Sequence, residues 1–387
     1  MKYIYLDNNA TTEMRKEVLD AMIPYLSEHY GNPSSVHRPG RKTHAAIDEA
    51  RASVRGLIAA ERDDEIYFTS GGTESNNLAI KGVAHALRAR GTHIITSSVE
   101  HYSVLNACKF LEGEGFRVTY VPVDRYGCVD PKQVTKAITD QTILISVIFA
   151  NNEVGTIEPI GEIGCIAKER GIAFHTDAVQ AAGKIPIDVA RLNIDLLSVS
   201  AHKFYGPKGS GALYIKKKTS ITPLSHGGHH ERNMRAGTEN VAGIVGLAVA
   251  AALANEKLAV DAEKTRRLRD LFEQGVLEKI PNVAVHGHPE KRLPNTSNIS
   301  FRFVENESVI LNLDIEGIAV SSGSACTSGS LETSHVLQSM GIPPDEAGSA
   351  VRFSLGRHTG EGEIQHLLNT LPGIIERLRD MSPSGRC

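Results

Sequence analysis

Residues Asp195–Gly209 read DLLSVSAHKFYGPKG. A short apolar strand stops at a serine, and a histidine and a lysine follow at once. Gly206, Pro207 and Gly209 then forbid the chain from running on as a regular element. A lysine in such a place is either a solvated loop cation or a partly desolvated amine, whose lowered pKa suits it to covalent bonding with a carbonyl.

The same arrangement recurs upstream. EIYFTS (65–70), THIITSS (92–98), FRVTYVPV (116–123), TILISVIFA (142–150) and GIAFHTDA (171–178) all read as strands. Amphipathic stretches such as SVLNACKFLEGEG (103–115) and EIGCIAKERG (162–171) separate them. Strands alternating with helices predict an α/β fold with a mostly parallel sheet covered on both faces, and near-continuous apolar strands fit that burial. Helical spacing precedes the first of these strands, at Val18, Leu19, Met22, Ile23 and Leu26 and again at Ile47, Ala50, Val54 and Leu57. This large domain is placed at residues 15–258. A charged helix, DAEKTRRLRDLFEQGVLEKI (261–280), leads into a smaller α+β domain over 259–387, which residues 1–14 join. Its strands are NISFRFV and AVRFSLGR, and its helices ESVILNL and GEIQHLLNTLPGIIERLRD.

Composition narrows the function classes. The 387 residues carry a net charge of −3, so no nucleic-acid or membrane footprint is visible. The longest apolar run, Val241–Ala254, falls short of the roughly 18 residues a span requires and reads as a buried helix. The five cysteines are scattered with no C-x-x-C pair, which fits a reducing, cytoplasmic setting better than a disulfide framework or a zinc site. MKYIYLDNNATT does not read as a signal peptide, because Asp7 interrupts its short apolar stretch. His229-His230-Glu231 lacks a ligand spacing, so no metal is expected.

Ligands of open α/β sheets bind beyond the carboxyl ends of the strands, and here those ends carry the polar groups. Ser70-Gly71-Gly72-Thr73 opens a helix; it is either a capped turn or a phosphate cradle. It matches neither the Walker pattern nor G-x-G-x-x-G. His101 is a loop histidine or an acid–base and ring-stacking group. Asn152 is a turn former or a donor to a ligand oxygen. Asp177 is an N-cap or the partner of a buried cation, with Gln180 three residues on. Ser200 and His202 flank Lys203 and would reach the same phosphate. A protonated pyridine is a cation of the required kind, and pyridoxal 5′-phosphate is one ligand that uses every one of these groups.

The ordered set YLDNNATT, GNPSSVH, FTSGGTESNN, VEH, NNEVG, HTDAVQ, SAHKFYGPKG, RAGTEN, SSGSACTSGSLE and VRFSLGR resembles the cysteine desulfurases of the NifS/IscS branch, within the fold-type-I pyridoxal-phosphate enzymes. The resemblance implies a homodimer that converts L-cysteine to L-alanine and passes sulfur, as a persulfide on Cys326, to an acceptor such as an iron–sulfur scaffold or a thio-modification protein. It implies Lys203 as the Schiff-base lysine, His101 stacked on the ring, Asp177 on the ring nitrogen and Gln180 on the phenolic oxygen. Gly72, Thr73, Ser200 and His202 would hold the phosphate, with Thr238 supplied by the other subunit. Asn152, Arg352 and Asn32 would face the substrate. Cys326 sits among small residues, a setting that suits a sulfur carrier and would let it touch a cluster on a partner. A selenocysteine lyase or another aminotransferase-type enzyme is the alternative.

Overall fold

The computed structural model describes residues 3–323 and 333–381, so Cys326 lies outside the described residues. The strands are β1 Ile4–Tyr5, β2 Ile66–Thr69, β3 His93–Ser97, β4 Arg117–Val121, β5 Thr142–Ser146, β6 Ala173–Asp177, β7 Leu196–Ser200, β8 Gly211–Ile215, β9 Val283–His286, β10 Thr296–Phe301, β11 Ile318–Ala319 and β12 Ala350–Ser354. The helices are α1 Lys16–Ser27, α2 Arg38–Leu57, α3 Gly72–Leu87, α4 Tyr102–Gly113, α5 Pro131–Ala137, α6 Ile160–Arg170, α7 Val241–Lys279, α8 Asn306–Ile315, α9 His335–Ser339, α10 Pro344–Ala347 and α11 Glu361–Met381.

Seven strands form the main sheet in the order β2-β8-β7-β6-β5-β3-β4. The five strands from β7 to β4 pair in parallel, while β8 is antiparallel to both of its neighbours. Side-chain alternation along these strands builds two cores at once. Ile94, Leu144 and Leu196 pack with Leu78 and Val83 of α3 and Ala107 of α4. Their neighbours Ile95, Ile145 and Leu197 point the other way, to Val54 of α2, Ile163 of α6 and Leu247 of α7. Helices therefore cover both faces, as the apolar strands require, and within the sheet the buried His175 is bonded to Ser146 and Ser198 on the neighbouring strands.

A second sheet, β12-β10-β9, is antiparallel and packs with α7, α8 and α11 around Phe272, Phe301 and Phe353. The aromatic centroids of Phe272 and Phe353 are 4.7 Å apart, within the range for favourable ring pairs. Leu6 and Ile318 join this core, because β1 pairs in parallel with β11. The chain start is thus held in the C-terminal region, and Asn9 is carried to the edge of the main sheet.

One difference from the sequence reading concerns α7. The apolar stretch 241–254 and the charged helix after it form one continuous helix of 39 residues. No glycine or proline lies between Gly246 and Gly275 to stop it. By composition α7 is apolar enough to cross a membrane, and half of its most apolar window is buried inside this fold. Leu247, Ala250, Ala251 and Ala254 belong to the main core, whereas Leu268, Phe272 and Val276 belong to the C-terminal core.

Candidate active site

A cavity of ≈ 310 Å³ opens at the carboxyl edge of the parallel strands. Gly72 and Thr73 line it from the start of α3, His101 from the start of α4, and Asp177 and Gln180 from the end of β6. Ser200, His202 and Lys203 enter from the end of β7, Asn152 follows β5, and Arg352 comes from β12 of the smaller sheet. Asn32 and Thr238 do not line it. Both are exposed, and Asn32 Oδ1 accepts from its neighbour Ser34 N at 2.9 Å.

The start of α3 is open to a ligand. Its N-cap, Gly71, has φ +150° and no side-chain capping bond, so the first N–H groups of the helix lack the usual side-chain acceptor. A Cβ on Gly72 would lie 2.6 Å from Val179 Cγ2, and one on Gly211 would lie 2.6 Å from Gly71 Cα. Glycine is thus required for β8 to pass beneath the turn. Uncapped N–H groups, the helix dipole, and the hydroxyls of Thr73 and Ser200 together make an anion cradle. His202 beside it is pushed down to about 4, mainly by burial and then by Lys203, so it is neutral there.

Asp177 is 4% exposed, and its carboxylate is held from both sides. Oδ1 accepts from Val179 N at 3.0 Å and Oδ2 from Asn76 Nδ2 at 2.7 Å. Asn76 also donates to Ser103 Oγ at 2.8 Å, and Ser103 Oγ lies 2.8 Å from His101 Nδ1. His101 Nδ1 accepts from Ser103 N at 3.1 Å as the helix cap. An Nδ1 that accepts a backbone N–H leaves the ring proton on Nε2. Burial pushes His101 below its ordinary value, while Asp177 pulls in the opposite direction. The helix start thus sets the tautomer of the imidazole, and burial favours its neutral form.

Lys203 Nζ donates to the backbone oxygens of Asn9 at 2.6 Å and Ala10 at 2.7 Å. Asn9 is 1% exposed and ties the site together. Its backbone oxygen also accepts from Gln180 Nε2 at 2.8 Å, and its Nδ2 donates to Thr296 Oγ1 at 2.8 Å and Asn152 O at 3.1 Å.

Arg352 is 2% exposed, so its charge must be answered inside the protein. Nη2 donates to Asp7 Oδ1 at 2.8 Å, and Nη1 to the backbone oxygens of Asn152 and Gly323 at 3.1 Å each. Nε has no partner among the described residues. Close by, Glu153 accepts from Ser334 Oγ at 2.5 Å, and the His335 ring lies 4.7 Å from that of Tyr102. Gly323, Glu153 and His335 all line the cavity, so both borders of the segment carrying Cys326 abut the site.

Sequence reasoning did not single out Asn9, Asn76, Ser103 or His335, and it placed Glu153 among the polar groups after β5 without giving it a role. Asn9 lay in the quoted YLDNNATT motif and Asn76 in FTSGGTESNN, and those motifs were their only signals.

The aminotransferase class-V family model matches residues 4–367. A cysteine desulfurase IscS of Dictyoglomus turgidum is 56% identical, over 98% of this chain and 96% of that protein. One from Methanosarcina thermophila is 54% identical, over 99% and 94%. Among solved structures, a NifS-like protein superposes with a TM-score of 0.91 at 39% identity, covering 97% of this chain and all of the other.

Proposed function

The chain belongs to the class-V aminotransferase family, in its cysteine desulfurase branch, and from that premise we propose that the cavity holds pyridoxal 5′-phosphate on Lys203 and delivers the sulfur of L-cysteine to Cys326. The observation that carries this reading is the joint placement of an uncapped helix start, a buried doubly held carboxylate and a lysine amine around one cavity. Those residues fit the cofactor. The phosphate would take the N–H groups at Gly72 and Thr73 with the Ser200 hydroxyl, the ring nitrogen would meet Asp177, and the phenolic oxygen would meet Gln180. Bound there, the cofactor is an electron sink that makes the Cα–H of an attached amino acid acidic.

The rest of the chemistry falls to the chain. His101 presents a flat neutral ring on one side of the cavity. The Lys203 amine moves the Cα proton. Arg352 holds the substrate carboxylate, with Nε–H and the second N–H of Nη2 as the donors not used among the described residues. Cys326, as thiolate, takes the sulfur. In net terms L-cysteine and a thiol give L-alanine and a persulfide, with no external oxidant or reductant. A reducing setting suits a protein that must keep this thiol available.

A second copy of the chain completes the assembly in this reading. α1 buries only Val18 and leaves Leu19, Ile23 and Leu26 exposed on one face, with Tyr30 at 83% and Val36 at 87% exposed just after it. A contiguous apolar face of this kind marks an interface. A homodimer would cover it and bring the exposed Thr238 of one subunit to the phosphate of the other. The acceptor is a protein able to reach Cys326, of the iron–sulfur scaffold or thio-modification class.

The test is turnover of L-cysteine by the purified holoprotein, with alanine quantified and the protein mapped by mass. Alanine, with one added sulfur on Cys326, is expected, and Cys326→Ala should keep the cofactor's colour while making little alanine. Amino-group exchange with a keto acid and no alanine from cysteine would overturn the reading.

A further inference from the structure

Lys184 lies outside the lining of the main cavity, yet its ammonium reaches into the site's hydrogen-bond network. Its Nζ donates to Gln180 Oε1 at 2.6 Å and to Asn9 Oδ1 at 3.1 Å. Both acceptors belong to buried residues, Gln180 at 4% and Asn9 at 1% exposed. On the other side Gln180 Nε2 donates to Asn9 O at 2.8 Å, the same oxygen that accepts from Lys203. A backbone carbonyl can only accept, so the bond to Asn9 O places the amide nitrogen on that side and turns the amide oxygen toward Lys184. The amide nitrogen keeps one further N–H, and Gln180 lines the cavity.

We propose that Lys184 is a positioning residue for the reaction, which holds the Gln180 amide with its N–H group, rather than its carbonyl, available to the cofactor's phenolic oxygen. The proposal rests on the reading of the cavity as a pyridoxal-phosphate site. Without Lys184 the carbonyl loses its donor, and only the bond to Asn9 O still opposes a flip that would set an acceptor against an anionic oxygen. That oxygen then loses stabilisation, and the proton shared with the cofactor–lysine linkage is held more tightly.

The charged surroundings leave Lys184 this part. Burial pushes its ammonium well below the usual lysine range, and Lys203 and Arg352 push the same way. Lys184 and Lys203 also share a chamber of ≈ 30 Å³ with Tyr205, Asp261 and Arg357. Asp261 there is 3.5 Å from Arg15, and His202 is neutral. The two acceptors Gln180 Oε1 and Asn9 Oδ1 are amide oxygens, not carboxylates. A buried lysine without a carboxylate partner is costly whether it keeps or gives up its proton, so a purely structural site would be expected to hold an apolar residue instead.

The experiment is a pH titration of the bound cofactor's visible absorbance in wild-type, Lys184→Met, Gln180→Ala and double-variant holoproteins. K184M should raise the midpoint by about one unit, a tenfold change in proton affinity, and should lose most of that effect in the Q180A background, because residues acting through one another are non-additive. K184R keeps the donor and should keep the wild-type midpoint. An unchanged midpoint in K184M, or an equal shift with and without Gln180, would overturn the proposal. If K184M holds no cofactor, K184R decides: a wild-type midpoint supports the amide lock, and loss of cofactor there too reduces Lys184 to packing. Wild-type protein lacking the absorbance altogether would instead sink the cofactor reading itself.

Discussion

At the scale of single residues, the site depends on polar side chains that order one another. Asp177 holds its place because Val179 N and Asn76 Nδ2 satisfy its two oxygens, and Asn76 passes order on through Ser103 to the His101 ring. Asp177→Asn keeps the shape and removes the charge. Buried electrostatic groups of this kind are worth about 10²–10³ in kcat when removed. D177N is therefore expected to bind cofactor but lose at least about 10² in alanine formation, and near-wild-type turnover would show that no cation is met there. Asp177, His101 and Lys203 were legible in the sequence because each stands at the end of an apolar strand. Asn76 and Ser103 were not, because which way a polar residue inside a helix faces depends on the helix's rotation against the sheet. Lys184 was hidden for a similar reason: its partners come from the chain start and from the turn after β6.

At the scale of elements, the approach of β8 to the turn between β2 and α3 sets the cradle. A Cβ on Gly211 would meet the backbone at Gly71 Cα and at Val199 O, 2.7 Å away, and neither can swing aside as a side chain tip would. Gly211→Ala should destabilise the fold by about 1–3 kcal/mol, the usual range for overpacking. It should also weaken cofactor retention, because it pushes on the cradle; a wild-type Tm with unchanged retention would contradict this. The reading from sequence missed β8 itself, GALYI, a run of five residues that begins with that glycine. It also divided α7 where the composition turns from apolar to charged. The structure shows that this change marks a change of packing partner along one helix: from the main sheet to the smaller one.

At the scale of the molecule, two cores share one rigid connection, α7, and the site lies where they meet. Lys203 and Asp177 come from the main sheet, Arg352 from the smaller one, and Asn9 from the chain start that β1 anchors beside β11. The α/β class and most of the strand ends were readable from periodicity alone. The meeting of Arg352 with the parallel sheet was not, since no local pattern specifies how two cores are docked; the family resemblance supplied it. In the proposed homodimer the exposed apolar face of α1 would extend the same logic to a second subunit.

The central claim is that Lys203, and not the neighbouring buried amine of Lys184, carries the cofactor. Borohydride reduction of the yellow holoprotein, followed by digestion and mass mapping, tests it most directly. The account predicts a single reduced cofactor adduct on the peptide containing Lys203, absent from Lys203→Ala. An adduct on Lys184, or none on either lysine, would contradict it.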